Sequence, residues 1–115
     1  MVADPIACCA PLAASALSEE EAAATAALFA ALGSPARVRI VNLLALSLEP
    51  VCLCDLIDPL GLAQATISEH LQKLVAAGVV LREERGKWSY FCLNSAALEQ
   101  VAGLVALPEK SALQR

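Results

Sequence analysis

The sequence predicts a mostly helical domain with one small β-hairpin, built around a helix, a tight turn and a second helix. Three observations predict it. Within residues 51–77, Leu53, Leu56, Ile57 and Leu60 recur at helical spacing, Gly61 interrupts, and Ile67, Leu71, Leu74 and Val75 restart the pattern on a second amphipathic helix. Residues 79–82 and 87–93 read as two strands around Glu84-Arg85-Gly86, a hairpin whose tip carries Arg85 and Lys87. At 115 residues the chain forms one domain with a modest core and no room for a second.

Taken in order, residues 1–17 contain Ala and Pro without a period and read as a flexible arm carrying Cys8 and Cys9. Ser18-Glu19-Glu20-Glu21 is a capping box that opens the first helix, which passes Ala22, Leu28 and Phe29 to Leu32, with Gly33 as its stop. Ser34-Pro35 starts the next helix, a capping Ser followed by Pro at the first helical position. Val38, Val41, Leu44 and Ala45 form its expected buried stripe, and Arg37 and Arg39 turn away from the core or toward a partner. After a loop at 46–50 comes the helix-turn-helix, whose second helix ends at Gly78.

In the hairpin, Trp88, Tyr90 and Cys92 share one strand face and Lys87, Ser89 and Phe91 the other; Cys92 is expected to pack. Asn94 is the expected cap of a last helix with Ala97, Leu98, Val101, Leu104 and Val105 as an apolar stripe that nothing else in so short a chain covers. Pro108 ends it. The expected organisation is an arm at 1–17, one domain at 18–107 and a tail at 108–115.

A hydrophobic fraction of 58% is more than a monomer of this size buries comfortably, so a homodimer through the first and last helices is expected. No apolar run reaches the ~18 residues that cross a bilayer, and the apolar stretch near the N-terminus lacks a basic leader and is split by Pro11. Five cysteines, an odd number with an adjacent pair and a Cys-x-Cys triplet, fit reduced cytoplasmic thiols rather than a secreted disulfide framework. The net charge of −4 speaks against a strongly electrostatic nucleic-acid binder, yet residues 62–92 hold four basic and three acidic side chains. Binding to DNA through that face should be modest and salt-sensitive.

The strongest chemical signal is thiol. Cys52 and Cys54 would lie about 200° apart on a regular α-helix, so both sulfurs reach one ion only if the triplet is non-helical or if binding unwinds the turn. The plain alternative is a buried Cys acting as a small hydrophobe. With Cys8 and Cys9 the chain offers up to four soft ligands for As(III), Cd(II), Pb(II) or Zn(II). The second helix presents Gln64, Thr66, Ser68, Glu69, His70 and Lys73 on its polar side, groups able to reach base edges in a major groove. Catalysis is not expected: His70 is the only histidine, and no Gly-rich phosphate loop occurs.

With ALGSPARVRIVNLL before it and GKWSYF after it, this stretch resembles the ArsR/SmtB family of metal-responsive winged-helix repressors, and the likeness covers residues 28–105. The resemblance implies a winged helix-turn-helix homodimer that binds double-stranded operator DNA and is released by an inducing ion. The family's arsenic and cadmium/lead sensors carry a Cys-x-Cys in a context like VCLCDL, which assigns Cys52 and Cys54 as ligands. Some members add ligands from an N-terminal arm, a role for which Cys8 and Cys9 are candidates. Ile57 stands where some arsenic sensors have a third Cys, and the family's zinc site on the last helix is missing, since Glu99 is the one charged residue there.

The resemblance marks Gln64, Thr66, Ser68, His70 and Lys73 as DNA contacts of the second helix and Arg85 and Lys87 as those of the wing. Ala63 replaces a Ser common in the family, and Glu69 a basic residue or His; these departures bear on the cap and on operator sequence. As(III), content with three thiolates, leads as inducer, with Cd(II), Pb(II) and Sb(III) as alternatives. A thiol redox-sensing repressor of the same fold, or a cytoplasmic metal-carrying thiol protein, would use the same cysteines differently.

Overall fold

The computed structural model describes residues 16–106, so the arm with Cys8 and Cys9 and the tail with Pro108 lie outside the described residues. The elements are α1 (Glu19–Ala31), α2 (Pro35–Leu46), β1 (Val51–Cys52), a 3-10 turn (Leu53–Leu56), α3 (Ile57–Leu60), α4 (Gln64–Ala76), β2 (Val80–Arg85), β3 (Trp88–Leu93) and α5 (Ser95–Leu104).

Local chemistry sets the helix starts. Ser18 Oγ accepts from Glu21 N–H at 3.1 Å, and Glu21 Oε1 accepts from Ser18 N–H at 2.9 Å, which closes the capping box of α1. Ser34 Oγ accepts from Arg37 N–H at 3.4 Å, with Pro35 pre-set for the first turn of α2. The predicted stripe of α2 is corrected. Ile40 and Leu44 are its buried residues, whereas Val38 and Ala45 are exposed, because α2 packs along the line of Ile40 and Leu44 against α4 and β3.

Two strand features depart from expectation. Residues 51 and 52 form a short strand, β1, which pairs antiparallel with β3 through Val51–Phe91 and Cys52–Tyr90, giving a three-stranded sheet of order β1-β3-β2. The hairpin is also longer than read: β2 continues through Glu83 and Glu84 to Arg85, opposite Trp88. Gly86 and Lys87 alone make the turn, with Gly86 at φ 64°, the left-handed backbone that a tight hairpin loop requires at its first position. Paired charges on β2 explain the difference, since Glu83 and Glu84 are held in ion pairs with Arg85 and Arg82 and need not mark a loop.

One core joins all the layers: Leu28 and Ala31 of α1, Ile40 and Leu44 of α2, Leu56, Leu60, the α4 stripe Ile67, Leu71 and Leu74, then Val79, Val80 and Phe91. On β3 the core face is that of Phe91; Trp88 on the other face is exposed, and Cys92 is half-buried. Asn94 stands at the cap position of α5 but makes no capping bond there. Its Nδ2 instead donates to Gly78 O at 2.9 Å, closing the end of α4. No residue of α5 is fully buried; Ala97, Leu98 and Val101 rest against the core, and Leu104 and Val105 are exposed. No single described helix is long and apolar enough to cross a membrane.

Candidate functional site

The thiol pair owes its geometry to the end of β1. Pairing with β3 holds Cys52 in extended backbone, and the chain then tightens into the 3-10 turn that carries Cys54. Of the two alternatives left by the spacing, the non-helical one holds. The change from strand to 3-10 geometry cancels the half-turn that a helix would put between the side chains, and Cys54 Sγ donates to Cys52 Sγ across 2.8 Å. Both thiols are free; Cys52 is buried and Cys54 exposed, so the pair opens to solvent through Cys54.

The Cys54 thiol is pushed up to about 11, first by its hydrogen bond to Cys52, then by desolvation and by negative charge at Cys52 and Asp55. Its proton stays at neutral pH until a soft ion competes for the sulfur. Two sulfurs within reach of one ion suit a thiophilic guest. Among the described residues no group of three or more His, Cys, Asp or Glu side chains converges, so this pair supplies two ligands there and no more. Cys8 and Cys9 fall outside the described residues. The walls around the pair form a cavity of about 210 Å³ that includes Gln64, the first residue of α4, and Lys87, Trp88 and Ser89 of the wing.

On α4, burial of Ile67, Leu71 and Leu74 leaves Ala65, Glu69, Gln72 and Ala76 on the opposite, exposed side. Among the predicted reading residues, Gln64 and Lys73 are exposed, while Thr66, Ser68 and His70 lie half-buried on the flanks of that side. The sequence reading overlooked Ala65 and Gln72, although the angle from the apolar stripe was enough to place them outward. Ala63 supplies no side-chain cap to α4, as expected from its missing hydroxyl.

Arg37 does not simply turn away from the core. Rather than turning away, its Nε donates to His70 Nδ1 at 3.2 Å and its Nη1 donates to Ala31 O at 3.2 Å, bracing α1, α2 and α4 together. A neutral ring that accepts at Nδ1 keeps a donor at Nε2. Arg39 stays exposed, its Nη2 donating to Pro59 O at 2.8 Å.

The wing is less basic than its composition suggests. Arg82 Nε bonds Glu84 Oε2 at 2.6 Å, and Arg85 Nε bonds Glu83 Oε2 at 3.0 Å while its guanidinium lies 4.6 Å from the centroid of the Tyr90 ring. Those are the salt bridges among the described residues, which leaves Lys87, at the tip, as the cation of the wing with no carboxylate partner there.

Known proteins share this fold. The family model described as bacterial regulatory protein, arsR family, matches residues 34–81, from the cap of α2 into β2. An HTH-type transcriptional regulator of Methanocaldococcus jannaschii is 36% identical over 80 residues, 70% of this chain and 89% of that protein. An arsenical resistance operon repressor of Escherichia coli is 39% identical over 67 residues, 58% of this chain and 56% of its own length. Among solved structures, a homodimeric winged helix-turn-helix DNA-binding domain from Mycobacterium bovis superposes with a TM-score of 0.63 at 24% identity, covering 79% of this chain and 85% of that one. The chain belongs to the arsR family of bacterial regulatory proteins, with the fold of a winged helix-turn-helix transcriptional regulator.

Proposed function

We propose that the protein is a cytoplasmic, homodimeric repressor that binds operator DNA through α4 and the wing and releases it when As(III) occupies its thiols. The observation that carries this reading is the thiol pair 2.8 Å apart in the turn that leads into the helix-turn-helix, in a cavity walled by Gln64 and Lys87. An ion drawn onto both sulfurs acts where the reader helix begins and where the wing meets it. Gln64, Thr66, Ser68, His70 and Lys73 are the reading residues, and Arg85 and Lys87 contact phosphate. Cys8 or Cys9 completes the three thiolates that As(III) takes, and the uncovered stripe of α5, with α1, forms the dimer contact. The arsenical resistance named for the Escherichia coli relative supports the choice of ion, with Cd(II), Pb(II) and Sb(III) as the other thiophilic candidates.

Ion and operator oppose each other through one equilibrium, so operator DNA must weaken ion binding by the factor by which the ion weakens DNA binding. The test is a titration of the reduced protein on its own promoter with arsenite, cadmium, lead and zinc, following thiolate absorption and DNA release together. Cys54→Ser should leave operator affinity unchanged and abolish release, giving a constitutive repressor. Cys8→Ser with Cys9→Ser should raise the inducing concentration or abolish the response, and Cys92→Ser should do neither. Release of DNA by arsenite from a Cys52→Ser/Cys54→Ser variant would defeat the assignment. The short approach of the two sulfurs also favours a second reading, a thiol redox sensor, for which peroxide and not arsenite would release DNA.

A further inference from the structure

An arginine side chain has no acceptor and keeps its proton in proteins, so whatever faces its Nε–H must accept. From α2, that constraint falls on a residue of α4. Arg37 Nε donates to His70 Nδ1 at 3.2 Å, a contact between residues 33 apart in the chain. The guanidinium is held from a second side, because its Nη1 donates to Ala31 O at 3.2 Å, the carbonyl of the last residue of α1. Carbonyls at a helix C-terminus lack partners within the helix and form its negative end, which suits a fixed cation.

A neutral imidazole has one donor and one acceptor nitrogen, and a solvated ring exchanges its proton between them. The Arg37 contact removes that freedom, since a proton on Nδ1 would set N–H against N–H. We propose that Arg37 is a positioning residue for operator reading: it fixes the orientation and tautomer of the neutral His70 ring, which then meets a hydrogen-bond acceptor on DNA through Nε2–H. This rests on the reading of α4 as the DNA-facing helix. Among the described residues no protein group takes the Nε2 proton, and no side-chain nitrogen or oxygen is buried without a partner, so Nε2 is left for solvent or DNA. The acceptors that a duplex offers are purine N7, guanine O6 and thymine O4 in the major groove, and the phosphate oxygens.

His70 is the only histidine, so its ring nitrogens give one pair of signals in long-range proton–nitrogen spectra of isotope-labelled, full-length protein. At about pH 8, above the ordinary histidine range, wild type should show a pyrrole-like Nε2 and a pyridine-like Nδ1. Arg37→Met should move both signals toward the averaged values of an exchanging ring. On its own promoter, Arg37→Met should bind about five-fold more weakly than wild type with an unchanged salt slope, and in a His70→Ala background it should cost less than about two-fold. His70→Gln, which keeps an amide donor near the place of Nε2, should bind about three-fold or more tightly than His70→Ala. Loss of discrimination at one base pair in His70→Ala assigns a base edge as the acceptor, and an equal loss on every sequence assigns a phosphate oxygen.

Averaged ring nitrogens or an Nδ1-protonated ring in wild type would overturn the proposal. So would an Arg37→Met loss that is equally large in the His70→Ala background, or one that lowers the salt slope by about one, the mark of a direct phosphate contact. Should Arg37→Met fail to fold, the wild-type spectrum and the His70→Gln comparison still decide, since Gln no better than Ala removes the Nε2 donor from the interface. Each of these outcomes leaves operator binding intact and overturns the inference alone, whereas wild type that does not bind its promoter overturns the proposed function with it.

Discussion

Helices α4 and α5 are both amphipathic, yet they stand in opposite situations. Helix α4 buries Ile67, Leu71 and Leu74 to 0%, 1% and 0% exposure, whereas α5 buries no residue fully and leaves Leu104 40% exposed. Helix α4 is seated within its own chain, against α2, the 3-10 turn and β2. The last helix has a stripe of the same kind that the described residues cover only in part. Apolar surface exposed on α5 is where the proposed dimer contact would fall, and a seated α4 is the part that holds its shape without a partner.

The largest expected effect tests the seated side. Leu71→Ala should destabilise the protomer by about 2–5 kcal/mol, through lost transfer energy and the cavity left behind. Denaturant unfolding followed by circular dichroism measures it, and a loss below about 1 kcal/mol would mean that α4 is less firmly held than its burial indicates. On the other side of the comparison, Leu104→Glu should leave helical content intact and weaken dimerisation by on the order of 3 kcal/mol, since a carboxylate would enter an apolar contact. Sedimentation equilibrium decides this. Unfolding in place of dissociation would erase the distinction between the two helices.

Next come the readers on the flanks of α4. Ser68→Ala or His70→Ala should each cost about 1–3 kcal/mol in operator binding without changing ion binding, measured by DNA titration at fixed salt. If both variants bind normally while Gln72→Ala does not, the reading face is the outermost side of the helix and not its flanks. On the wing the comparison is between two cations. Lys87→Gln should lower the slope of log affinity against log salt by about one, as loss of one phosphate contact does. Arg85→Gln should lower it less, because Glu83 already holds the Arg85 guanidinium. Equal slopes would show that DNA breaks that ion pair.

The smallest effect concerns Cys54. Its pKa in the fold, about 11, lies above the ordinary thiol value, so the folded state holds this proton more tightly than the unfolded chain does. The stability contributed is present below the ordinary value and is lost as pH rises through about 11. The denaturation midpoint of wild type should therefore fall slightly more than that of Cys54→Ser over roughly pH 8.5–11. A steeper fall in the variant would contradict the shift.

Much of this was legible in the residues alone. The capping box at Ser18, the Ser34-Pro35 start, the break at Gly61 and the stripe of Ile67, Leu71 and Leu74 are local signals, each written within one or two turns of chain, and each reappears in the fold. The Cys52-Leu53-Cys54 triplet placed two thiols just ahead of the helix-turn-helix, and the fold brings their sulfurs together. What sequence could not decide depended on contacts between distant segments. Residues 51 and 52 are too short a run to read as a strand; they become one only because Phe91 and Tyr90 lie alongside, and that pairing creates the 2.8 Å approach of the sulfurs. Arg37 reads as a surface cation until α4 brings His70 to its side, 33 residues away in the chain. Which face of β3 is buried was open as well, since Trp88 and Phe91 are equally apolar choices until α2 and α4 cover Phe91 and leave Trp88 beside the thiols. Periodicity and capping are properties of a segment, whereas register, pairing and the choice of buried face are settled only when segments meet.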